Sequence, residues 1–421
     1  MKPKPPLKEI VIDQLVPGMF VVEMDLPWYR TPFLFHKRLI KDAETVRLMK
    51  QHGIRTVTID TSKGVDLPVQ ADRRPPSAPD DRSVDSPEGS AGKQAHAGAT
   101  GPVEARARQL YAEAQQTMER IFADLEQGVP PPPAATKTVV SNILAHLLDD
   151  RTGLLTQLAL AKIKQFDRSL AGHGLDTCIL SLIVGVECGL REESLAPLGA
   201  GALLHDAGYV RLPRNLVRRR WDCTESERAL LEQHSTLGLA MLADQSDLQE
   251  EVKRIVTEHH ERSDGSGFPG KLAGEAISQA ARIVGVVDLY DGMVSRRSGR
   301  PAMLPHDAIR QLFLAGERGQ FEKSLVEIVI RSIGVYPVGS LVRLNTGEQA
   351  VVVGVNPEQR LKPRVKITGG PQGESYTDPL DVDLATQAQD RSVRSVLRVL
   401  DPGQERVNIA MYLDDPPSQA A

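Results

Sequence analysis

The stretch LAPLGAGALLHDAG (residues 195–208) has an apolar helical pattern that leads to a histidine–aspartate pair and stops at a glycine. An imidazole beside a carboxylate is a natural half of a divalent-metal site, because both groups bind such ions. The surrounding sequence, from about 152 to 334, has a helical period throughout, apart from one glycine-rich loop. The stretch therefore predicts a buried metal site in a mainly α-helical bundle.

Further potential ligands lie at helix-sized intervals before and after this pair. A single histidine on an apolar helix is usually an ordinary partly buried side chain, whereas Asp288 within IVGVVDLY (283–290) would be a buried charge that needs a partner or a metal. Side chains on facing helices can converge on the core of a bundle. The predicted metal ligands are His173, His205, Asp206, His234, His259, His260 and Asp288.

Seven ligands suit two metal ions better than one, and the carboxylate of the histidine–aspartate pair can bridge them. Two ions about 3.5–4 Å apart can hold a hydroxide and clamp a phosphate oxygen, which is the two-metal route to phosphodiester cleavage. Mixed histidine and carboxylate ligation suits iron, manganese, nickel or zinc, and it does not choose among them.

The composition sets limits on the class of protein. A chain of 421 residues, 41% hydrophobic and 25% charged, is expected to form two or three soluble domains. A net charge of −4 provides no basic face for nucleic acid. Three cysteines without a CxxC pair favour a reducing compartment. Because no signal-peptide core is present and CILSLIVGV (178–186) is half a membrane span, we expect a cytoplasmic protein without a transmembrane helix.

Pattern changes along the chain predict five regions. Short strands (IVIDQL, MFVVEM, TVTID) and one helix (42–53) indicate a small N-terminal α/β unit, in which Trp28, Tyr29 and Phe33 are expected in an aromatic core. Four β-branched runs in the tail (SLVRL, QAVVVGV, RVKI, NIAMYL) indicate a small β unit with NTGE as a turn. The expected regions are the α/β unit (1–63), a disordered linker rich in Pro, Ser, Gly, Ala and Asp (64–103), connecting helices (104–150), the helical catalytic domain (151–335) and the β-rich extension (336–421).

The region from about 155 to 334 resembles the HD-GYP domain, a branch of the HD phosphohydrolase superfamily that hydrolyses the bacterial messenger cyclic di-GMP. The matching segments are LLHDAG, HHERSDGSGFPGKLAG and ARIVGVVDLYDGM. The segments DQLVPGM and IDTSKG are similar to an N-terminal domain of unknown function often fused to HD-GYP domains, and YPVGSLVRL looks like the tails of those proteins. The resemblance implies an HD-type helical bundle with an intact two-metal centre, for which we favour iron or manganese.

Several positions depart from the family pattern. Tyr209 stands where the family has a lysine near the scissile phosphate, and the GYP signature reads Gly267, Phe268, Pro269. Ser169 replaces the glutamate that binds a third metal in some members, which favours two ions. The resemblance implies that Glu261 either orients a ligand histidine or is an exposed charge. The predicted catalytic residues are Asp206 and Tyr209, and the predicted substrate contacts are Arg219, Arg297, Arg300, Gly267, Phe268 and Pro269.

Three functions fit these residues. The favoured one is a metal-dependent phosphodiesterase that hydrolyses cyclic di-GMP through a hydroxide held between two metals. The alternative is a catalytically weak or inactive cyclic di-GMP receptor that signals to a partner, which the loss of the lysine at position 209 favours. A phosphohydrolase for another nucleotide is disfavoured by the glycine-rich loop. The expected partners are cyclic di-GMP and a signalling protein such as a diguanylate cyclase, and a homodimer is left open.

Overall fold

The computed structural model of the chain describes most of its length and divides it into two compact units, residues 1–100 and 101–421. Trp28, Tyr29, Phe33, Arg297 and most of the predicted linker lie outside the described residues. The described ranges are 7–24, 38–40, 43–51, 54–65, 101–164, 169–243, 245, 248–296, 300–356, 358–387 and 393–413.

The first unit is a small antiparallel sheet with one helix. Its strands are β1 (Leu7–Val11), β2 (Phe20–Met24), β3 (Arg38–Leu39) and β4 (Thr56–Asp60), and its helix is α1 (Ala43–Gln51). The strand order is β1-β4-β2-β3. Met19, Met49 and Ile59 are fully buried between the sheet and the helix. The predicted α/β unit is therefore confirmed, although the strand predicted for IVIDQL ends at Val11 and a 3₁₀ turn follows.

The second unit is built mainly from helices, which confirms the predicted fold class. The central helix is α5 (Leu170–Glu187), against which its neighbours in the bundle pack. The other helices are α2 (Gly101–Glu126), α3 (Pro133–Asp149), α4 (Arg151–Lys164), α6 (Glu192–Leu204), α7 (Arg214–Arg218), α8 (Glu225–Glu232), α9 (His234–Leu242), α10 (Glu250–Glu258), α11 (Gln279–Val294), α12 (Pro305–Glu317) and α13 (Lys323–Ile333).

The helix α5 is long and apolar enough, by length and composition, to cross a membrane. In the structure 83% of its most apolar window is buried inside the unit, against α2, α6 and α11. An apolar helix that is covered on all sides by other helices is typical of a protein core. The apolar character of α5 is therefore explained by its central position in the bundle.

The C-terminal part of the second unit is a five-stranded antiparallel sheet with the order β8-β7-β6-β5-β9. The predicted NTGE turn joins its first two strands, and Gly347 adopts φ +87° there, a conformation that glycine reaches without a steric cost. The strands are β5 (Leu341–Leu344), β6 (Gln349–Gly354), β7 (Arg364–Gly369), β8 (Ser375–Asp383) and β9 (Val396–Leu400).

Two predictions about this unit are wrong, one about where it begins and one about its last element. The helix α2 begins at Gly101, inside the stretch expected to be a linker. The segment NIAMYL forms a short helix, α14 (Ala410–Leu413), instead of a strand. The side chain of Asn408 accepts a hydrogen bond from the Ala410 backbone N–H at 3.2 Å. An asparagine in this position starts a helical turn, because it satisfies a backbone donor that would otherwise lack a partner.

Shortening one buried side chain of the central helix tests how much of the free energy of unfolding comes from the burial of α5. Leu182 in α5 is fully buried, whereas Leu148 in α3 is 79% exposed. We expect Leu182→Ala to lower the free energy of unfolding by about 2–5 kcal/mol, because it leaves a cavity in a packed core. The same substitution at Leu148 should change it by less than about 0.5 kcal/mol. Urea unfolding followed by circular dichroism measures both variants, and equal losses would contradict this account of the core.

Candidate metal centre

The predicted ligands come from the ends and the centres of helices that face one another. His173 lies in the first turn of α5, whose N-cap Ser169 accepts a hydrogen bond from Gly172 N at 3.1 Å. The pair His205–Asp206 directly follows α6, and a 3₁₀ turn (Ala207–Arg211) comes next. The remaining ligands are His234 at the start of α9, His259 and His260 after α10, and Asp288 within α11.

Two glycines allow these elements to approach closely enough. A Cβ atom on Gly208 would collide with the backbone oxygen of His234, so the turn after Asp206 can lie against α9 only with glycine there. A Cβ atom on Gly285 would lie 2.5 Å from the backbone oxygen of His259. Where two backbone segments come this close, only glycine fits without strain, because it has no Cβ atom. Both glycines therefore help to bring the ligand side chains together.

Three of the histidines are fixed in orientation by backbone oxygens of the turn that precedes them. Their Nδ1 atoms face backbone oxygens of the preceding turn, at 2.7 Å for His205, 2.7 Å for His234 and 3.0 Å for His259. A carbonyl oxygen can only accept, so each Nδ1 carries the hydrogen and donates it. In a neutral imidazole the other nitrogen, Nε2, then presents a lone pair. The local backbone therefore aims three lone pairs away from their helices.

These lone pairs converge on one point. The Nε2 atoms of His234 and His259 are 3.2 Å apart, and His205 Nε2 is buried without a hydrogen-bond partner among the described residues. The carboxylate oxygen Oδ1 of Asp206 lies 3.5–3.8 Å from all three nitrogens. Acceptors that face acceptors in a buried site are unfavourable without a cation between them. The donor set therefore fits a divalent metal ion.

Six of the seven predicted ligands form two overlapping groups in the structure, and Asp288 lies beside them. One group is Asp206, His234, His259 and His260, and the other is His173, His205 and Asp206, with the ligand atoms of each group within 4.8 Å of one another. Asp206 belongs to both groups. Asp288 lies 2.9 Å from His173 Nε2, 3.7 Å from His205 Nε2 and 3.9 Å from His260 Nδ1. Asp206 is thus the residue that the two groups share.

The charges of the site follow from burial and from these short contacts. Burial is the main cause that lowers the pKa of His259, to about 3. Burial would also lower the pKa of His173 and His205, but nearby carboxylates outweigh it and raise each to about 9. Burial alone would raise the pKa of Asp206, yet the surrounding histidines hold it well below its usual range. At neutral pH and without a metal ion, protons on His173 and His205 therefore balance the carboxylates.

Metal binding should accordingly compete with protons. Since His173 and His205 keep a proton up to a pKa of about 9 in the metal-free site, each must lose it when an ion binds. We expect Mn²⁺ affinity to rise as the pH increases from 6 to 9, with release of protons on binding at pH 7. Calorimetric titration in two buffers of different ionisation enthalpy measures that release. An affinity that is constant over this pH range would contradict the proposed charge balance.

A buried network behind His173 was not predicted from the sequence. His173 Nδ1 donates to Asp291 Oδ2 at 2.7 Å. Lys162 Nζ donates both to Asp291 and to Asp176, the latter at 3.0 Å, and Tyr111 Oη donates to Asp176 at 2.7 Å. A carboxylate behind a metal-binding histidine fixes the ring and increases its basicity. Asp291 follows Asp288 by three residues and so shares its helix face, a signal that could have identified it.

Removal of one charge from this network tests how much the network contributes to the affinity for a metal ion. Asp291→Asn keeps the size of the side chain and an acceptor for His173, but loses the charge that the ring and Lys162 face. We expect the affinity for Mn²⁺ to fall roughly 10–100-fold, as for other residues that support metal ligands. Asp149→Asn on the exposed end of α3 is the control and should leave the affinity unchanged. Equal affinity of the two variants would show that Asp291 does not support the centre.

The predicted catalytic tyrosine and the aromatic residue of the signature both lie against ligand histidines. The Tyr209 ring stacks on His234, with ring centres 4.1 Å apart and planes at 9°. Burial raises the pKa of Tyr209, so its hydroxyl stays protonated at neutral pH. Phe268 lies 4.7 Å from the His260 ring. Position 209 and the glycine-rich loop are therefore walls of the candidate centre.

The loop itself is held by Glu261, whose role differs from both expectations. Glu261 is buried, and its carboxylate accepts hydrogen bonds from the backbone N–H groups of Gly270 at 2.6 Å and Leu272 at 2.9 Å. A Cβ atom on Gly267 would lie 2.5 Å from the Glu261 Cα. Glu261 therefore closes the loop that carries Phe268 and Pro269, and the structure shows no bond from it to a ligand histidine among the described residues.

The two predicted substrate arginines that the structure describes, Arg219 and Arg300, have other partners. The guanidinium of Arg219 pairs with Glu227, and Arg300 donates to Gly292 O at 3.3 Å. Arg300 lines a separate cavity of about 760 Å³, whose lining residues include none of the seven predicted ligands. Arg297 lies outside the described residues. Instead Arg220, which the sequence did not single out, has its Nη2 atom 4.0 Å from Asp206 Oδ2.

Comparison with known proteins assigns the family. Family models match a domain of unknown function at residues 7–136, an HD domain at 142–325 and a KOW domain associated with HD domains at 341–395. A cyclic di-GMP phosphodiesterase of Pseudomonas aeruginosa is 30% identical over 91% of this chain and 90% of its own length. The chain belongs to the HD-domain phosphodiesterase family. The resemblance seen in the sequence is thereby confirmed.

Other known proteins match over shorter ranges. The cyclic di-GMP phosphodiesterase response regulator RpfG of Xanthomonas campestris is 32% identical over 35% of this chain and 39% of its own length. The 3'3'-cGAMP-specific phosphodiesterase 2 of Vibrio cholerae is 29% identical over 45% of this chain and 36% of its own length. A solved structure of Bd1817, an HDG"Y"P protein of Bdellovibrio bacteriovorus, is 16% identical, with a TM-score of 0.46 over 77% of this chain and 98% of that chain.

Proposed function

We propose that this chain is an HD-GYP-type phosphodiesterase that hydrolyses cyclic di-GMP at a centre of two divalent ions. The observation that carries the proposal is the place of Asp206 in both groups of potential ligands. The Pseudomonas aeruginosa relative is named a cyclic di-GMP phosphodiesterase and aligns over nearly its whole length, which supports cyclic di-GMP as the substrate. Iron or manganese suits the mixed set of imidazoles and carboxylates.

The residues of the chain hold this centre in a fixed geometry. When bound, the ions would neutralise phosphate oxygens and activate a water nucleophile at neutral pH. Asp206 stays ionised among the histidines, and the Nδ1–H groups of His205 and His234 hold their rings by bonds to the backbone. Asp291 does the same for His173 from the neighbouring helix. Ligands that are already oriented need no reorganisation during the reaction.

Tyr209 has a limited part in proton transfer under this proposal. Its hydroxyl stays protonated, because burial raises its pKa, so it can donate a hydrogen bond but cannot act as a base at neutral pH. Its ring lies against His234 and supports that ligand. The position therefore contributes shape and a single donor, whereas the lysine of the family pattern would contribute a charge.

A second function has specific support. Tyr209 removes the charge expected at its position, and Arg219 is bound to Glu227 away from the ligands. Loss of one transition-state contact costs roughly 10²–10³ in rate. These features favour a catalytically weak cyclic di-GMP receptor as the alternative. The relative named a 3'3'-cGAMP-specific phosphodiesterase makes that dinucleotide the second substrate to compare. The diguanylate cyclase partner, the homodimer and the cytoplasmic location stay predictions.

Metal content and turnover, measured on one preparation, test the proposal. The full chain is purified without chelators, its metal per chain is determined, and hydrolysis of cyclic di-GMP and 3'3'-cGAMP is followed with added Mn²⁺ or Fe²⁺. We expect two ions per chain and turnover of cyclic di-GMP. Asp206→Ala and His260→Ala should lose metal and activity together, whereas His306→Ala, which removes a histidine that packs on Tyr336, should retain both.

The outcomes separate the candidate functions. Two ions with turnover of cyclic di-GMP support the phosphodiesterase. Metal and nucleotide binding without turnover assign the chain to the receptor class, and preferential turnover of 3'3'-cGAMP changes the substrate. Absence of bound metal in the purified and reconstituted protein overturns the metal centre itself.

A further inference from the structure

Two adjacent arginines after α7 have opposite surroundings. The Arg219 side chain is 47% exposed, and its guanidinium donates to Glu227 Oε2 at 3.2 Å and to the Asp222 backbone oxygen at 3.0 Å. The Arg220 side chain is only 16% exposed, and it turns inward to Asp206. Arg219 therefore lies at the surface, whereas Arg220 faces the candidate metal centre.

The guanidinium of Arg220 rests on the ring at position 209. Its central carbon lies over the Tyr209 ring at 4.9 Å from the ring centre, within the range of a cation–π interaction. Tyr209 in turn stacks on the ligand His234 at 4.1 Å. Arg220, Tyr209 and His234 thus form one series of packed groups, which fixes the guanidinium relative to the ligands.

The hydrogen-bonding capacity of Arg220 is not used within the protein. Its guanidinium donates no hydrogen bond to any of the described residues, and its single ion-pair contact there is with Asp206 at 4.0 Å. A guanidinium carries five N–H donors, and keeping it largely buried without partners is unfavourable. Asp206 does not satisfy it, because Oδ2 lies 4.0 Å from Arg220 Nη2, beyond hydrogen-bond distance, and also faces His173 Nε2 at 3.7 Å.

Two other arginines discussed above, Arg262 and Arg300, already have partners. Arg262 donates to the backbone oxygens of Glu261 and His259 and lies over the Phe321 ring. Arg300 donates to Gly292 O. Among the described arginines and lysines, Arg220 is the one that forms an ion pair with Asp206, and its donors are available.

We propose that Arg220 binds the phosphate of the substrate, and that Tyr209 is the residue that positions it. The planar guanidinium can donate two parallel hydrogen bonds to non-bridging phosphate oxygens, a geometry that suits phosphodiesters. A cation from the segment after α7, supported by an aromatic ring, thereby supplies the charge that position 209 lacks. This proposal rests on the proposed phosphodiesterase function, because it concerns a phosphate held next to Asp206.

The test compares the two neighbouring arginines. Arg220→Ala, Arg220→Lys and the matched control Arg219→Ala are assayed in the full chain with Mn²⁺, together with metal content per chain. The substrates are cyclic di-GMP and the simple phosphodiester bis(p-nitrophenyl) phosphate. We expect Arg220→Ala to lower kcat/KM roughly 10²–10³-fold on both substrates at unchanged metal content, as for loss of one transition-state contact. Arg220→Lys should recover part of this loss, because a point charge replaces the fork.

Arg219→Ala should stay close to the wild type on both substrates, since its guanidinium is bound to Glu227 at the surface. Wild-type activity of Arg220→Ala overturns the proposal and leaves the phosphodiesterase function standing. Loss of metal from Arg220→Ala also overturns it, because the residue would then support Asp206 and not the substrate. If cyclic di-GMP is not hydrolysed while the simple phosphodiester is, and only the Arg220 variants are impaired, the substrate assignment fails and the phosphate contact stands.

The role of Tyr209 has its own pair of variants. Tyr209→Phe keeps the ring and loses only the hydroxyl, so kcat/KM should fall by no more than about fivefold, because a neutral hydrogen bond is worth roughly 1 kcal/mol. Tyr209→Leu removes the face on which the guanidinium lies and should lower kcat/KM to the level of Arg220→Ala, with metal still bound. In the Leu variant a further Arg220→Ala change should then cost little. Full additivity of the two losses would show that the ring does not position the arginine.

Discussion

The candidate centre depends on short bonds between histidine Nδ1–H groups and the backbone of the preceding turn. These bonds decide which nitrogen of each ring holds the hydrogen, and so they leave Nε2 of His205, His234 and His259 as acceptors that face one another. Such a set is stable only with a cation among its members, either a proton or a metal ion. The affinity for a metal ion therefore depends on the backbone conformation of these turns. The packing of α5, α6 and α11 keeps the turns close to one another.

Much of the centre could be predicted, because metal ligands are rare residue types in apolar helices. Asp288 lies within a run of valines and isoleucine, which indicates a buried charge. The glycine shortly after Asp206 indicates the end of the helix that precedes this aspartate. Lys162 could not be predicted in this way. It lies on a different helix from Asp291 and Asp176, and a lysine near the end of a helix usually faces solvent. Only the tertiary packing shows that its charge is shared by two buried carboxylates.

The misplaced arginines have the same explanation. Arg219 and Arg220 are identical in chemistry and adjacent in sequence, so no pattern distinguishes them. What separates them is the capping box of α8, in which Thr224 and Glu227 satisfy backbone donors and Glu227 then also pairs with Arg219. Because of that pairing Arg219 faces outward, and Arg220, the next residue in the chain, lies over the Tyr209 ring. The tail segment NIAMYL shows the same limit, since the cap at Asn408 overrides a β-branched pattern.

The hydrogen bond from Tyr111 to Asp176 links the helix α2 to the predicted metal ligands, although α2 is far from most of them in the sequence. Through Asp176, Lys162 and Asp291 this bond reaches the ring of His173, so α2 is mechanically joined to the ligand set. The same helix is the first element of the second unit and begins at Gly101. The first helix of the second unit is therefore connected by a continuous set of hydrogen bonds to one imidazole of the predicted ligand set.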